Sequence, residues 1–338
     1  MISKPLPVSQ ILIWTIRAFY LLSSSIILTV RLIGPLRERF LAYGARENNN
    51  LTINKNDTNT TPTPLTSSTI TQCLDWAARL KVPHSWFSHF YIVSVVSSLF
   101  CLSFYLYRYP VFSSGAAATT DPIIPTFCTI LMLIQGCRRW LECHGVFVFL
   151  TAPQQQQKQQ PTKGSRSQSK MWIGHYAIGL AFYVVTNVAI WAEYMGVHVG
   201  HDVDVAHWQT GRGLLTPRVL ICTLLFLYAS YKQHYYHSYL AGLKKYTLPV
   251  GPAFRLIVAP HYTAECAIYL ALAVLDVAPQ TQKQTEISSI NWTLFCALVF
   301  VAVNLGVTAD GTRTWMMYKF PEKKQEIQRR WRILPGIW

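Results

Sequence analysis

Long apolar runs alternate with short polar ones along this chain. The runs lie at residues 11–32, 86–107, 124–150, 172–195, 214–231, 256–278 and 290–308. Each is near the ~20 residues that a helix needs to cross a bilayer. The pattern predicts an all-α polytopic membrane protein of about seven transmembrane helices. Between Gln233 and Tyr269 the pattern changes, and His234, His237, Lys244, Lys245, Arg255, His261 and Glu265 crowd two membrane edges. Ionisable groups are costly in lipid and usually face a cavity, a partner or a substrate. A basic loop with interfacial tyrosine anchors is the plainer reading of the same stretch. Residues 47–72, rich in Asn and Thr, and 154–170, rich in Gln, read as flexible loops. We therefore divide the chain into 1–81, a first span and a loop, and 82–338, a membrane domain that holds the other spans.

Composition supports the membrane assignment. Charged residues make up only 13% of the 338, against roughly 25% in soluble domains. The net charge of +15 does not point to nucleic acid, because the bases lie between apolar runs. They cluster in 33–81, 151–171, 232–255 and the tail, while the alternate connections hold little beyond Arg108, Arg212 and Lys283. By the positive-inside rule the N-terminus is lumenal and the C-terminus cytosolic. The first run is too long for a signal-peptide core and is followed by Arg31, Arg37 and Arg39, so it reads as a span. The sequons at Asn50, Asn56 and Asn59 then face the cytosol and should be unused; that at Asn291 lies at a span edge, too close to the bilayer. The eight cysteines form no CxxC pair and read as small buried hydrophobes.

Three polar clusters could carry chemistry. Val82–Tyr91 reads V-P-H-S-W-F-S-H-F-Y and places His84 and His89 where a span begins. Gln135–Glu142 reads Q-G-C-R-R-W-L-E; on a helix Arg138 and Arg139 both reach Glu142 at i,i+4 and i,i+3. One carboxylate cannot neutralise two guanidinium groups, which leaves positive charge for an anion; a purely structural ion pair is the alternative. The third cluster is the Gln233–Glu265 stretch. Alternation of the spans brings all three to the cytosolic side. His198, His201, Asp202, Asp204 and His207 are dense but follow no standard zinc spacing, so no metal is expected. No dinucleotide-fold or P-loop glycine motif is present, and a nucleotide would have to bind inside the bundle.

These ordered motifs resemble the steroid 5α-reductase family, and within it the polyprenol reductase branch. The resemblance runs from Pro83 to Trp338. It is carried by W-F-S-H-F-Y, Q-G-C-R-R-W-L-E, H-x-x-L-A-x-L-K-K (His237–Lys245), P-x-G (Pro249–Gly251), P-H-Y-x-x-E (Pro260–Glu265) and the apolar terminus Leu334–Trp338. It implies a multi-pass enzyme of the endoplasmic reticulum membrane that binds NADPH on the cytosolic side. It also implies reduction of the α-isoprene double bond of a long polyprenyl lipid in the synthesis of dolichyl carriers for protein glycosylation. By position it places Arg138, Arg139, Gln233, His237, Lys244, His261, Glu265 and Tyr318 at the cofactor. Steroid-reducing relatives carry Gln-Glu where this chain has Ser88-His89, and Tyr where it has Gln135, so a steroid is not the expected substrate. Asp310 stands where a base might be expected, and no phosphate contact is assigned there.

Chemistry narrows the expectation. Hydride adds to a C=C only when an adjacent carbonyl takes up the charge, so the immediate substrate should be the aldehyde, polyprenal. His89, Gln135 and Glu142 are the candidates for the catalytic groups, with His89 and Gln135 polarising the oxygen. The alternatives are a very-long-chain enoyl-CoA reductase and a seven-span receptor or transporter.

Overall fold

The computed structural model describes residues 8–41, 69–108, 123–145, 170–198, 213–244, 247–277 and 289–337. In chain order the helices are α1 Val8–Leu32, α2 Gly34–Phe40, α3 Thr69–Arg79, α4 Ser88–Arg108, α5 Ile123–Cys143, α6 Ile173–His198, α7 Pro217–Gly242, α8 Pro252–Leu256, α9 Pro260–Leu275, α10 Trp292–Lys319 and α11 Lys324–Arg329. Two short strands, β1 Lys81–Pro83 and β2 Lys170–Trp172, pair antiparallel with Val82 opposite Met171. The sequons at Asn50, Asn56 and Asn59, Lys245, the linker up to residue 169 and the side chains of the 198–207 cluster lie outside the described residues.

Local signals place the helix ends. The Thr216 side chain accepts from Val219 N at 3.3 Å, with Pro217 at the first helical position of α7. α5 stops where Gly145 turns to φ 73°, a conformation that favours glycine. That ends the helix at Cys143, earlier than the run to residue 150 suggests. The loop expected over 47–72 gives way at Thr69 to α3, a helix the apolar pattern did not assign because only one of its faces is apolar.

Hydrogen bonds fix the direction of each long helix against its neighbours. Tyr20 on α1 meets Thr186 on α6 at 3.0 Å and Arg17 meets Glu193 at 2.9 Å, so these two run antiparallel. His89 meets Tyr176 and Ser98 meets Asn187, at 2.9 and 2.8 Å, so α4 and α6 run parallel. Close approach of helices depends on small residues. A Cβ on Gly136 would stand 3.1 Å from Ser94 Oγ, and one on Gly179 would stand 2.7 Å from the Phe90 ring. Taken in sequence, α1, α4, α5, α6, α7, α9 and α10 alternate in direction. Among the described residues, four segments are long and apolar enough to cross a membrane by length and composition: Val8–Leu32, His84–Tyr107, Ile173–Met195 and Trp292–Lys319. α5 carries its charged residues in the last two turns, α7 turns polar from Lys232, and α9 has only 16 residues.

The bundle face shows where lipid ends. Leu220, Ile221, Leu224 and Leu227 on α7 are exposed. One turn further the Lys232 ammonium lies 5.5, 5.9 and 5.7 Å from the ring centres of Tyr228, Tyr231 and Tyr235. Aromatic residues and lysine in such a band mark a membrane–water boundary. Gln233 is on the same turn, facing inward and buried.

Two ionic clusters brace the bundle at opposite ends. At one, Glu193 accepts from Arg17, from Thr293 Oγ1 at 2.7 Å and from Thr293 N at 2.8 Å. At the other, Asp310 accepts from Arg31 and from Arg332 Nε at 2.9 Å. Thr293 and Asp310 are roughly 26 Å apart along α10 at ~1.5 Å per residue, close to the ~30 Å hydrocarbon thickness. Arg332 belongs to a tail strapped across the bundle: Val258 N donates to Trp331 O at 2.8 Å and Ala259 N to Arg332 O at 3.2 Å. Although the sequence division assigns α1 to the segment before residue 82, the helix packs into the same core as the rest, with Tyr20 fully buried against Phe182 and Phe300.

Candidate functional site

The polar residues at the Gln233 end form one network. Gln135 Nε2 donates to Gln233 Oε1 at 3.0 Å, and Arg138 Nη2 donates to Gln135 Oε1 at 2.9 Å and to Gln233. Arg138 and Arg139 both pair with Glu142, as the i,i+4 and i,i+3 spacing predicts. His234 Nδ1 reaches the same carboxylate at 2.9 Å and His237 Nδ1 at 3.2 Å. Gln233 Nε2 donates to Glu265 on α9. The His237 and His261 rings lie 5.2 Å apart. Arg139 Nη2 donates to Tyr91 OH at 2.8 Å, with its guanidinium 4.9 Å from the Tyr91 ring centre. Three helices from distant parts of the chain thus converge on two arginines.

The charge balance differs from the single-carboxylate count. Glu265 joins the network through Gln233, so two guanidinium groups face two carboxyl groups. Isolated charges in such a place would be strongly destabilising, whereas fully paired ones persist. His237 lies beyond the apolar part of α7. Burial, reinforced by the Arg139 charge, pushes its imidazole down to about 4, while the bond to Glu142 opposes the shift. It is therefore neutral at physiological pH, and its Nδ1 can either donate to Glu142 or accept from Arg139, one at a time.

A cavity of about 240 Å³ opens beside this network. Its polar lining includes Arg139, Gln233, His237 and Glu265; Tyr91, Tyr183 and Phe182 also line it, and Ile26, Ile27 and Val30 of α1 add to its apolar surface. The volume is below the ~300–1,000 Å³ of whole-ligand pockets, so it suits the reacting ends of larger molecules. Three buried nitrogens at this end, Nε of Arg138 and of Arg139 and Nδ1 of His261, have no hydrogen-bond partner among the described residues. Buried polar atoms are normally satisfied; of these three residues only Arg139 lines the cavity, where a polar ligand would meet it, while Arg138 and His261 stand behind the wall.

The structure brings Gln135, Arg138, Arg139, Glu142, Gln233, His237, His261 and Glu265 together. His89 bonds Tyr176 and does not line the cavity. Gln135 and Glu142 stand behind its wall, bonded to residues that do line it. Lys244 and Tyr318 are exposed. Tyr91 and Ser230, which donates to Gln135 Oε1 at 3.2 Å, complete the constellation without having been singled out from the sequence. Tyr91 closes the W-F-S-H-F-Y motif, where it reads as an interfacial anchor.

A helical membrane bundle with a buried arginine–carboxylate–histidine wall against an apolar cavity describes a membrane-embedded enzyme, and comparison defines the class. A profile of the 3-oxo-5-alpha-steroid 4-dehydrogenase family matches residues 169–338, half of the chain. The chain belongs to this family, as its motifs implied, and is an oxidoreductase acting on a CH–CH group. Among individual proteins it is similar to polyprenal reductases. It is 24% identical to that of Caenorhabditis elegans over 277 residues, covering 72% of this chain and 76% of the relative. It is 24% identical to that of Saccharomyces cerevisiae over 260 residues, 77% of each chain. It is 26% identical to polyprenal reductase 1 of Arabidopsis thaliana over 276 residues, 72% and 78%.

Proposed function

We propose that this protein reduces the α-isoprene double bond of a polyprenal, with NADPH as reductant, on the way to dolichyl lipids for protein glycosylation. One observation carries the reading: a buried polar wall faces an apolar cavity in a chain similar, over about three quarters of its length, to polyprenal reductases. Seven alternating helices and the clustering of bases in alternate connections support a seven-span protein of the endoplasmic reticulum membrane. In that reading the C-terminus is cytosolic and the Gln233 end opens to the cytosol. Residues 82–338 would then contain the catalytic groups, with α1 closing one side of the cavity.

The residues fit a nicotinamide cofactor. The partnerless nitrogens of Arg138, Arg139 and His261 sit beside Gln233, His237 and Glu265, which offers both donors and acceptors. These six would hold NADPH, with Lys244 and Tyr318 at its exposed margin. A nicotinamide held there would supply hydride chemistry, directed to the β-carbon of a conjugated aldehyde.

The chain's own residues do the rest. Tyr91 OH accepts from Arg139, so its own proton is left to donate to the aldehyde oxygen, where negative charge develops. The Arg139 charge makes that donation stronger. The α-carbon then takes a proton drawn ultimately from solvent, completing net addition of hydride and proton across the double bond. Gln135 and Glu142 hold Gln233, Arg138 and Arg139 in register, and His89 bonds Tyr176, whose ring packs on Phe90 of the cavity lining. Apolar walls exclude water and accept the isoprenoid chain.

The test uses the purified protein in detergent with NADPH and, in turn, a long-chain polyprenal and the matching polyprenol. NADPH oxidation with the aldehyde alone is expected. Turnover of the alcohol without prior oxidation would remove the aldehyde step. Inactivity on both, with an enoyl-CoA reduced instead, would replace the substrate class.

A further inference from the structure

Helix α3 turns an apolar face away from the protein. Ile70, Cys73 and Trp76, with Leu80 one residue past the helix end, recur at helical spacing, and all are exposed, Ile70 by 71% and Trp76 by 65%. The opposite side, with Leu74, Asp75 and Ala78, is half-buried against the bundle. A helix in water shows the reverse arrangement. Trp172 Nε1 donates to Ala77 O at 2.9 Å, Ile173 N donates to Leu80 O at 2.9 Å, and Arg39 Nε on α2 pairs with Asp75 at 2.6 Å. Thus α3 is docked, and its exposed stripe is a feature of the docked position. The cations nearest the stripe in sequence and pairing are Arg79, Lys81 and Lys170.

The residues under α3 are the rim of the cavity. Trp172 packs on Phe40 with ring centres 4.6 Å apart, and Phe40, Leu41, Met171 and Trp172 all line the cavity. We propose that α3 lies in the plane of the membrane with Ile70, Cys73, Trp76 and Leu80 in the acyl boundary. From there it holds the cavity rim at the bilayer, so that a lipid substrate passes from the leaflet into the site. An apolar stripe flanked by cations matches an anionic bilayer surface. The membrane contact stands independently of the proposed reaction; the substrate route rests on it.

Two measurements separate these levels. A variant keeping Cys73 as its single cysteine, spin-labelled and placed in phosphatidylcholine–phosphatidylserine nanodiscs, should be relaxed more by oxygen than by a water-soluble nickel complex. The opposite order would overturn the membrane contact. If replacing the other cysteines unfolds the protein, loss of fluorescence quenching by brominated lipid in Trp76→Phe, relative to the unchanged protein, gives the same reading; unaltered quenching overturns it. The double variant Ile70→Asp, Trp76→Asp should raise KM for a long-chain polyprenal about tenfold or more and leave a water-soluble ten-carbon enal unaffected. Equal loss on both overturns the route. If the unchanged protein reduces neither aldehyde, the proposed reaction fails while the label still reports on α3.

Discussion

Tyr91 lies two residues beyond His89 on α4, yet only Tyr91 faces the cavity, because residues two apart on a helix point about 200° apart. Replacing Tyr91 by Phe removes one hydrogen-bond donor and keeps the ring over Arg139. We expect kcat to fall about 10²-fold with NADPH affinity unchanged, measured by steady-state turnover and cofactor fluorescence. Equal losses in His89→Ala and Tyr91→Phe would reassign the oxygen contact. His237 yields a pH prediction. Its imidazole is lowered in the folded protein to about 4, against about 6.5 when unfolded. Between those values the unfolded chain binds the extra proton, so stability must fall as pH drops from about 6.5 to about 4 and level off below. The loss attributable to this group is of order 3 kcal/mol at most. Arg139, Glu142 and His261 face the ring, so the comparison is His237→Gln, which should flatten thermal unfolding in detergent across that window.

At the scale of elements, helix ends carry consequences. Asn291 is 1% exposed, caps α10 by accepting from Leu294 N at 2.9 Å, and donates to Asp276 at 3.1 Å. Its amide is committed on both sides, so the sequon there should carry no glycan, and endoglycosidase treatment should leave the mobility of the protein unchanged. Asn291→Ala should lower stability by about 1–3 kcal/mol, from the lost cap and an unpaired buried Asp276. Asp310 joins α1, α10 and the C-terminal strap. Asp310→Asn would leave Arg31 and Arg332 facing each other without a counter-charge. The arginines are about a third exposed, so solvent tempers the cost. A loss of about 2 kcal/mol is expected, read as a lowered melting temperature that adding Arg332→Gln partly restores.

At the scale of the whole molecule, the bundle is held by side chains that hydrogen-bond across helices as much as by apolar packing, since lipid solvates apolar surface as well as protein does. The Tyr20–Thr186, Ser98–Asn187 and Arg17–Glu193 contacts tie α1, α4 and α6 together. Because α1 supplies Ile26, Ile27 and Val30 to the cavity, a chain starting at residue 82 should fail to retain a melting transition or bind NADPH. A truncated protein with normal cofactor binding would show that α1 is dispensable to the site.

The apolar periodicity determined the helical membrane class and the approximate place of each long helix, because burying backbone in lipid leaves a helix few alternatives. The i,i+3 and i,i+4 spacing determined the Arg138–Arg139–Glu142 pairing, since local geometry alone sets it. Ionisable residues inside apolar runs pointed to the polar network at the Gln233 end, because such residues are too costly to keep without a partner. Tertiary structure alone decided that Glu265 supplies the second carboxyl, that Tyr91 rather than His89 lines the cavity, and that Asp310 is a structural clamp. Each depends on the rotation and depth of helices far apart in sequence, and side-chain packing sets those, leaving no periodic trace. The same holds for α3: its apolar stripe is legible only once the bundle shows which side it turns outward.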